Sequence, residues 1–396
     1  MVSTEFDFSA LRRYPDAEAA NLFAVDASDR LILDEAADTL RASGPGEVVV
    51  IGARYGALTL GAAALHGASG IRVFQDSIVA EQALAANADD LAGRFENLPF
   101  GEELLREAQI VLLQLPRALD ELDDLAAAIS HWSADDVVVF AGGRIKHMTP
   151  SMNEVLSRHF GRLDTRHASQ KSRVLVASSP LRSIPNDPRR EFHADLGIWV
   201  CATGSVFAGT RIDIGTRALL AVLDQALPAA ACAVDLGCGT GVVSAVLARA
   251  RPGVAVLATD VAAGAVASAR ATMAVNELPN VTVVRDDALS SQPDASVDLV
   301  LLNPPFHQGS TVHTGTASRL FAAAARVLKP GGELWTVYNS HLAYRAQLAR
   351  TVGPTREVSR NAKFTVTVST RHARQTTGEA TGEAADSATG SATGNR

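Results

Sequence analysis

Short apolar runs alternate with longer alanine-rich stretches along most of this chain. In the second half the apolar runs are Ala233–Leu236, Val254–Thr259, Val281–Val284, Val297–Leu302, Glu333–Tyr338 and Phe364–Ser369, each of strand length. Between them lie Val242–Ala250 and Ala262–Val275, long enough to serve as crossover helices between parallel strands. The pattern predicts an α/β fold with a parallel sheet. Residues 375–396 instead repeat Thr-Gly and Glu-Ala, with no large apolar residue after Val368. Such a segment cannot bury enough surface to offset its ordering entropy and is expected to be disordered.

The first half carries a faded copy of the same series. Glu47–Ile51 leads into Gly52-Ala53-Arg54-Tyr55-Gly56, much as Val234–Leu236 leads into Gly237-Cys238-Gly239-Thr240-Gly241, 185 residues on. Arg72–Asp76 ends in an acid, as Val256–Asp260 does 184 residues on. Ile110–Pro116 stands where Leu299–Pro305 stands, at 189, and Ser172–Ser178 mirrors Ala362–Val368, at 190. Four landmarks in one order at nearly one spacing imply two tandem Rossmann-like domains from a duplication. The division expected is 1–185, 186–374 and the tail 375–396, with the boundary in Pro180–Arg190, where Pro180, Pro185 and Pro188 interrupt any helix or strand. Only the second copy keeps small residues in its turn. The first has Arg54 and Tyr55 where backbone must approach a ligand, and Gln114-Leu115-Pro116 in place of Asn303-Pro304-Pro305-Phe306. It is expected to retain the fold without the chemistry.

Length and charge narrow the class. At 396 residues two or three domains are expected. No apolar run reaches the ~18 residues of a membrane helix and no signal peptide is visible, so a cytoplasmic protein without a membrane partner is expected. Cys201, Cys232 and Cys238 form no CxxC pair and have no histidine at ligand spacing, which argues against a metal site or a disulfide. The net charge of −7 divides into −15 for residues 1–140, +7 for 141–190 and +1 for 191–396. The basic stretch could present a phosphate-binding surface, with a solvated linker as the plainer reading.

The second copy holds the candidate chemistry. A strand ending in Asp235 runs into Gly237, Gly239 and Gly241, the glycines of a sharp ligand-facing turn. Asp260 ends the next strand, 19 residues past Gly241, and suits a carboxylate accepting two ribose hydroxyls. Asp287 follows the third strand, placed for the exocyclic amine of an adenine. Any one of these alone reads as a helix cap or surface turn; together they suit an adenosine-bearing cofactor. Asn303-Pro304-Pro305-Phe306-His307 then follows the fourth strand, at the sheet edge where ligands of such folds bind. Asn303 and the Pro304 carbonyl offer acceptors, and Phe306 a ring for stacking on a flat base, which suits a planar substrate carrying an NH2 group.

These motifs resemble the class I S-adenosylmethionine-dependent methyltransferases, and within them the bacterial ribosomal RNA guanine-N2 methyltransferases of the "methyltransferase small" group. The resemblance covers roughly residues 10–370 and includes a degenerate amino-terminal copy. It implies S-adenosylmethionine as cofactor, with Ala288 beside Asp287, and Gly215 in the Ile212–Thr216 segment, as further contacts. The Gly204–Phe207 and Ile212–Thr216 segments are together implied to help hold the methionine end. It also implies ribosomal RNA or a ribosomal subunit as partner, the small subunit slightly favoured, and direct in-line methyl transfer to guanine N2. The first domain and basic connector would hold the RNA, and Tyr344 and His341 would line the base pocket or lie on a surface helix. An internal pseudo-dimer favours a monomer. The alternatives are methylation of adenine N6 or a glutamine amide, where Tyr usually follows the double proline, and a non-enzymatic RNA-binding assembly factor.

Overall fold

The computed structural model describes residues 6–304 and 312–372. The tail 375–396 lies outside the described residues, as do Pro305, Phe306 and His307. The first domain has strands β1 (Val48–Ile51), β2 (Ile71–Phe74), β3 (Phe95–Asn97), β4 (Ile110–Gln114), β5 (Val138–Arg144), β6 (Phe160–Thr165) and β7 (Ser172–Pro180). A hairpin of β8 (Arg189–His193) and β9 (Ile198–Ala202) follows. The second domain has β10 (Cys232–Leu236), β11 (Ala255–Asp260), β12 (Val281–Arg285), β13 (Val297–Leu302), β14 (Leu328–Asn339), β15 (Thr355–Arg360) and β16 (Phe364–Thr370).

The two sheets have the same topology: β3-β2-β1-β4-β5-β7-β6 and β12-β11-β10-β13-β14-β16-β15. In each, five strands run parallel and a terminal antiparallel pair closes one edge. All of Val48–Ile51 is buried because helices cover both faces. Val48 and Val50 pack towards one apolar cluster, and Val49 and Ile51 towards another, as alternation along a central strand requires. Leu299 and Leu301 face away from Val300 and Leu302 in the same way.

Strand register corrects two of the sequence pairings. Gly52 donates to the Phe74 carbonyl at 3.0 Å and Gly237 to that of Thr259 at 2.8 Å, so Gln75, not Asp76, corresponds to Asp260. The side chains agree. The Gln75 amide oxygen accepts from Arg54 N–H at 2.9 Å, as Asp260 Oδ2 accepts from Gly239 N–H at 3.0 Å. At the antiparallel edge, Ile110 pairs with Val138, which pairs with Ser178, whereas Leu299 pairs with Glu333, which pairs with Thr370. The separation there is 192 residues, so Ser172 matches Phe364.

The basic stretch 141–190 is not a connector. It builds β6, β7 and the helix Pro150–His159 of the first domain, and six of its arginines are paired with acids. Arg144 meets Asp26, Arg158 Asp123, Arg162 Asp164, Arg166 Glu35, Arg182 Asp135 and Arg189 Asp120. Five of those six acids, all but Asp164, belong to the −15 segment 1–140, so much of the +7 is neutralised within one domain.

The domains meet by a two-way exchange. Ile78 N–H donates to the Val261 carbonyl at 2.9 Å, and Ala263 N–H donates to the Asp76 carbonyl at 2.7 Å, with Ser77 and Ala262 bridged between them. Positions 76, 77 and 78 correspond to 261, 262 and 263 at the 185-residue offset. The contact is therefore isologous, the same surface of each copy facing the other.

Candidate functional site

The loop after β10 shows directly why one copy has room for a ligand. Gly237 and Gly239 take φ of 76° and 53°, and a Cβ built on either meets nothing within 4 Å. The third glycine differs: a Cβ on Gly241 would stand 2.8 Å from the Met273 methyl, so this residue permits close packing on the helix Ala263–Val275. In the first domain Gly52 has the same φ of 76°, but Arg54 takes the position of Gly239 with φ 50°. A side chain therefore starts from the backbone position where Gly239 carries none.

Around that space the expected residues stand at the carboxyl ends of β10 to β13. Asp235 is buried beneath the loop, its Oδ2 accepting from Ser244 N–H at 3.0 Å and Ser244 Oγ–H at 2.7 Å. Burial pushes its carboxyl up to about 6. Asp260 accepts from Gly239 N–H through Oδ2 and from Ala262 N–H through Oδ1, each at 3.0 Å; burial raises its pKa. Asp287 pairs through Oδ2 with Arg319 at 2.7 Å, while its Oδ1 is buried with no partner among the described residues. Ala288 takes a left-handed φ of 50° and packs its methyl on the core. Open space at two glycines and an orphaned acceptor on Asp287 fit an adenosine-bearing group.

Asn303 lies at the end of β13, next to Gly237 through the pairing of Leu302 with Leu236. Its Nδ2 donates to Thr216 Oγ1 at 3.0 Å and to Asp213 Oδ2 at 3.2 Å. A carboxylate only accepts, so this network fixes which end of the amide faces it. Oδ1 points the other way and is buried with no partner among the described residues. Asp213 caps the helix Ile214–Leu220, accepting from Gly215 N–H at 2.7 Å and Thr216 N–H at 3.1 Å. Gly215 thus adjoins Asn303: a Cβ there would stand 3.3 Å from Asn303 Oδ1. Pro304 is buried.

Asp213 and Thr216 lie in the Ile212–Thr216 segment, which the resemblance ties to the methionine end; their bonds to Asn303 are not visible in the sequence. The signal for the cap itself is present, an acid at the N-cap followed by Thr at the third helical position. The structure also places two other segments. Tyr344 is a core residue, its ring edge-on to Phe321 at 5.3 Å and tilted against Tyr338 at 5.4 Å, and only His341 of that pair is exposed. Gly204 N–H donates to Asp124 Oδ2 of the first domain at 2.6 Å, so the Gly204–Phe207 segment starts on the domain interface. Among the described residues, no group of three or more His, Cys, Asp or Glu could hold a metal, and no helix is long and apolar enough to cross a membrane.

A parallel sheet of this order, a glycine turn after its central strand and acids ending the next two strands define a class I S-adenosylmethionine-dependent methyltransferase, here in a working and a degenerate copy. The "Methyltransferase small domain" family matches residues 197–368, and the "RLMG N-terminal domain" family matches residues 1–181. The chain is 35% identical over 384 residues to ribosomal RNA large subunit methyltransferase G of Streptomyces avermitilis, covering 92% of this chain and 97% of that one. It is 33% identical over 374 residues to the Pseudomonas aeruginosa protein of that name, covering 92% and 98%. The chain belongs to the ribosomal RNA large subunit methyltransferase G family. In fold it is similar to the T. thermophilus 16S rRNA N2 G1207 methyltransferase in complex with AdoMet and guanosine, with a TM-score of 0.67 at 19% identity, over 90% of this chain and 97% of that one. S-adenosylmethionine is its cofactor.

Proposed function

We propose that this protein methylates the exocyclic N2 amine of a guanine in ribosomal RNA of the large subunit. The full-length relatives are named for large-subunit RNA, which is why that subunit is preferred. The observation that carries the chemistry is Asn303, whose amide is locked by Asp213 and Thr216 so that Oδ1, buried and unpartnered among the described residues, is left as an oriented acceptor.

A guanine amine is a poor nucleophile because its lone pair is delocalised into the ring. Asn303 Oδ1 and the Pro304 carbonyl accept its two hydrogens and turn the lone pair out of the ring plane, an alignment effect that costs no reorganisation at the moment of reaction. The cofactor supplies an electrophilic methyl on sulfur. Gly237 and Gly239 would let backbone approach it, Asp260 would accept from its ribose hydroxyls, and Asp287 Oδ1 from its adenine amine. Asp235 and Gly241 hold the loop from beneath, and Gly215 and Ala288 shape the two ends of the cleft. Pro305 and Phe306 complete the string in the sequence, and Phe306 is the residue assigned to stack on the base. In this reading residues 186–374 are the catalytic domain and 1–185 its support.

The test is nucleoside digestion and mass spectrometry of undermethylated ribosomal RNA treated with the protein and labelled S-adenosylmethionine. N2-methylguanosine formed by wild type and lost in Asn303→Ala is expected. A product methylated at adenine N6, or undiminished transfer by Asn303→Ala, overturns the assignment.

A further inference from the structure

The helix Ala263–Val275 begins directly after the acid-bearing turn 260–262, so the way its first N–H groups are satisfied bears on Asp260. Its N-cap residue is Ala262, which has extended backbone (φ −91°, ψ 128°) suited to a capping side chain but no polar atom to cap with. The acceptor comes from the other domain. Asp76 Oδ1 accepts from Gly264 N–H at 2.9 Å, and the Asp76 carbonyl accepts from Ala263 N–H at 2.7 Å.

The same turn is tied a second time. Arg285, paired in the sheet with Asp260, donates to the carbonyls of Gln75 at 2.7 Å and Asp76 at 2.9 Å and meets Glu81 at 2.6 Å, with both side chains of the ion pair largely buried. Asp76 has no equivalent in the working copy, where position 261 is Val. The exchange between the domains is symmetric in its backbone and asymmetric in its cap.

We propose that Asp76 of the degenerate domain is a positioning residue for the cofactor site, supplying across the domain interface the N-cap that fixes the Asp260 turn. The first domain thereby contributes to cofactor affinity without touching the cofactor. The proposal rests on Asp260 as the ribose-binding acid, and holds whichever base is methylated.

The experiment is calorimetry of S-adenosylmethionine binding to the full chain, with steady-state kinetics alongside. Losing an N-cap is worth about a five- to tenfold change, so Asp76→Ala should raise the dissociation constant and the KM for S-adenosylmethionine by about that factor. The kcat and the KM for RNA should stay within twofold. Asp76→Asn keeps the acceptor and should bind as wild type. Adding Ala262→Ser to Asp76→Ala restores a cap in cis and should recover the affinity. Should Asp76→Ala not fold, Glu81→Gln is the milder second variant, with about a threefold loss expected from a partly buried pair. Unchanged cofactor binding in these variants, a loss that Ala262→Ser does not recover, or an equal rise in the KM for RNA overturns the proposal. Asp260→Ala is the control: if it too binds normally, the site reading itself fails; if it alone loses binding, only the role of Asp76 fails.

Discussion

Replacing Asp213 by Asn isolates the orientation of one amide. Asn caps a helix as well as Asp does, so the new Oδ1 keeps the bonds from Gly215 and Thr216 N–H that now measure 2.7 and 3.1 Å. Its Nδ2 takes the place of the oxygen that accepts from Thr216 Oγ–H at 2.6 Å and from Asn303 Nδ2 at 3.2 Å. Two donors then face each other. The network is satisfied again only if the Thr216 hydroxyl reverses and Asn303 flips, which turns Nδ2 instead of Oδ1 into the site. A donor there opposes the hydrogens of the substrate amine. Losing one net hydrogen bond and leaving buried donors apposed costs about 2–4 kcal/mol in the transition state, roughly a 30- to 1000-fold drop in kcat/KM. Stability should change little, with a melting temperature within about 4 °C of wild type. The assay is methyl transfer to undermethylated ribosomal RNA, with cofactor calorimetry in parallel. Activity within threefold of wild type, or an equal collapse of cofactor binding, refutes the reasoning.

Three further outcomes are expected. Gly239→Arg reproduces in the working loop what Arg54 does in the first; cofactor binding should fall below detection by calorimetry, while the fold survives because Arg54 already adopts φ 50° in the matching turn, at a strain of about 1 kcal/mol. Asp287→Ala removes the orphaned Oδ1 and should weaken S-adenosylmethionine about 10- to 100-fold, with little effect on melting because Arg319 is already substantially exposed. Asp29 is buried and its carboxyl is pushed up to about 6, chiefly by burial; the folded state therefore holds a proton that the unfolded chain releases near 4. Its cost to stability is absent below about pH 4, grows between pH 4 and 6, and is complete above that. Asp29→Asn should therefore gain in melting temperature relative to wild type as pH rises through that window, and a gain that is flat with pH would contradict this.

The sequence discloses the central strands almost to the residue, because buried parallel strands leave continuous apolar runs: Val297–Leu302 and the helix Val242–Ala250 are found with the ends expected. Exposed edges leave no such mark. β15 and β8 are largely exposed along their length, carry many charged residues and pass as loops. The duplication is legible from glycine and proline landmarks, yet a run ending Gln75-Asp76 cannot say which residue faces the loop; only the bond from Gly52 to Phe74 does. Apart from Arg162 and Asp164, the ion pairs on the basic stretch join residues far apart in sequence, such as Arg166 and Glu35, and no local pattern reports them. Tyr344 follows the same logic, since its aromatic partners Phe321 and Tyr338 come from a helix and a strand.

The two-way bond between Ile78 and Val261 and between Ala263 and Asp76 also dates the arrangement. An isologous contact is what two identical subunits make, and in such a pair residues 76 and 261 would have to be one residue type. A cap for one helix would then be a cap for both, and any change that spoiled one loop would spoil its twin. Joining the copies in a single chain breaks that bond of identity. One half became free to carry Arg54 in its own loop and to turn the matching surface into a brace, an economy that no symmetric ancestor could have explored.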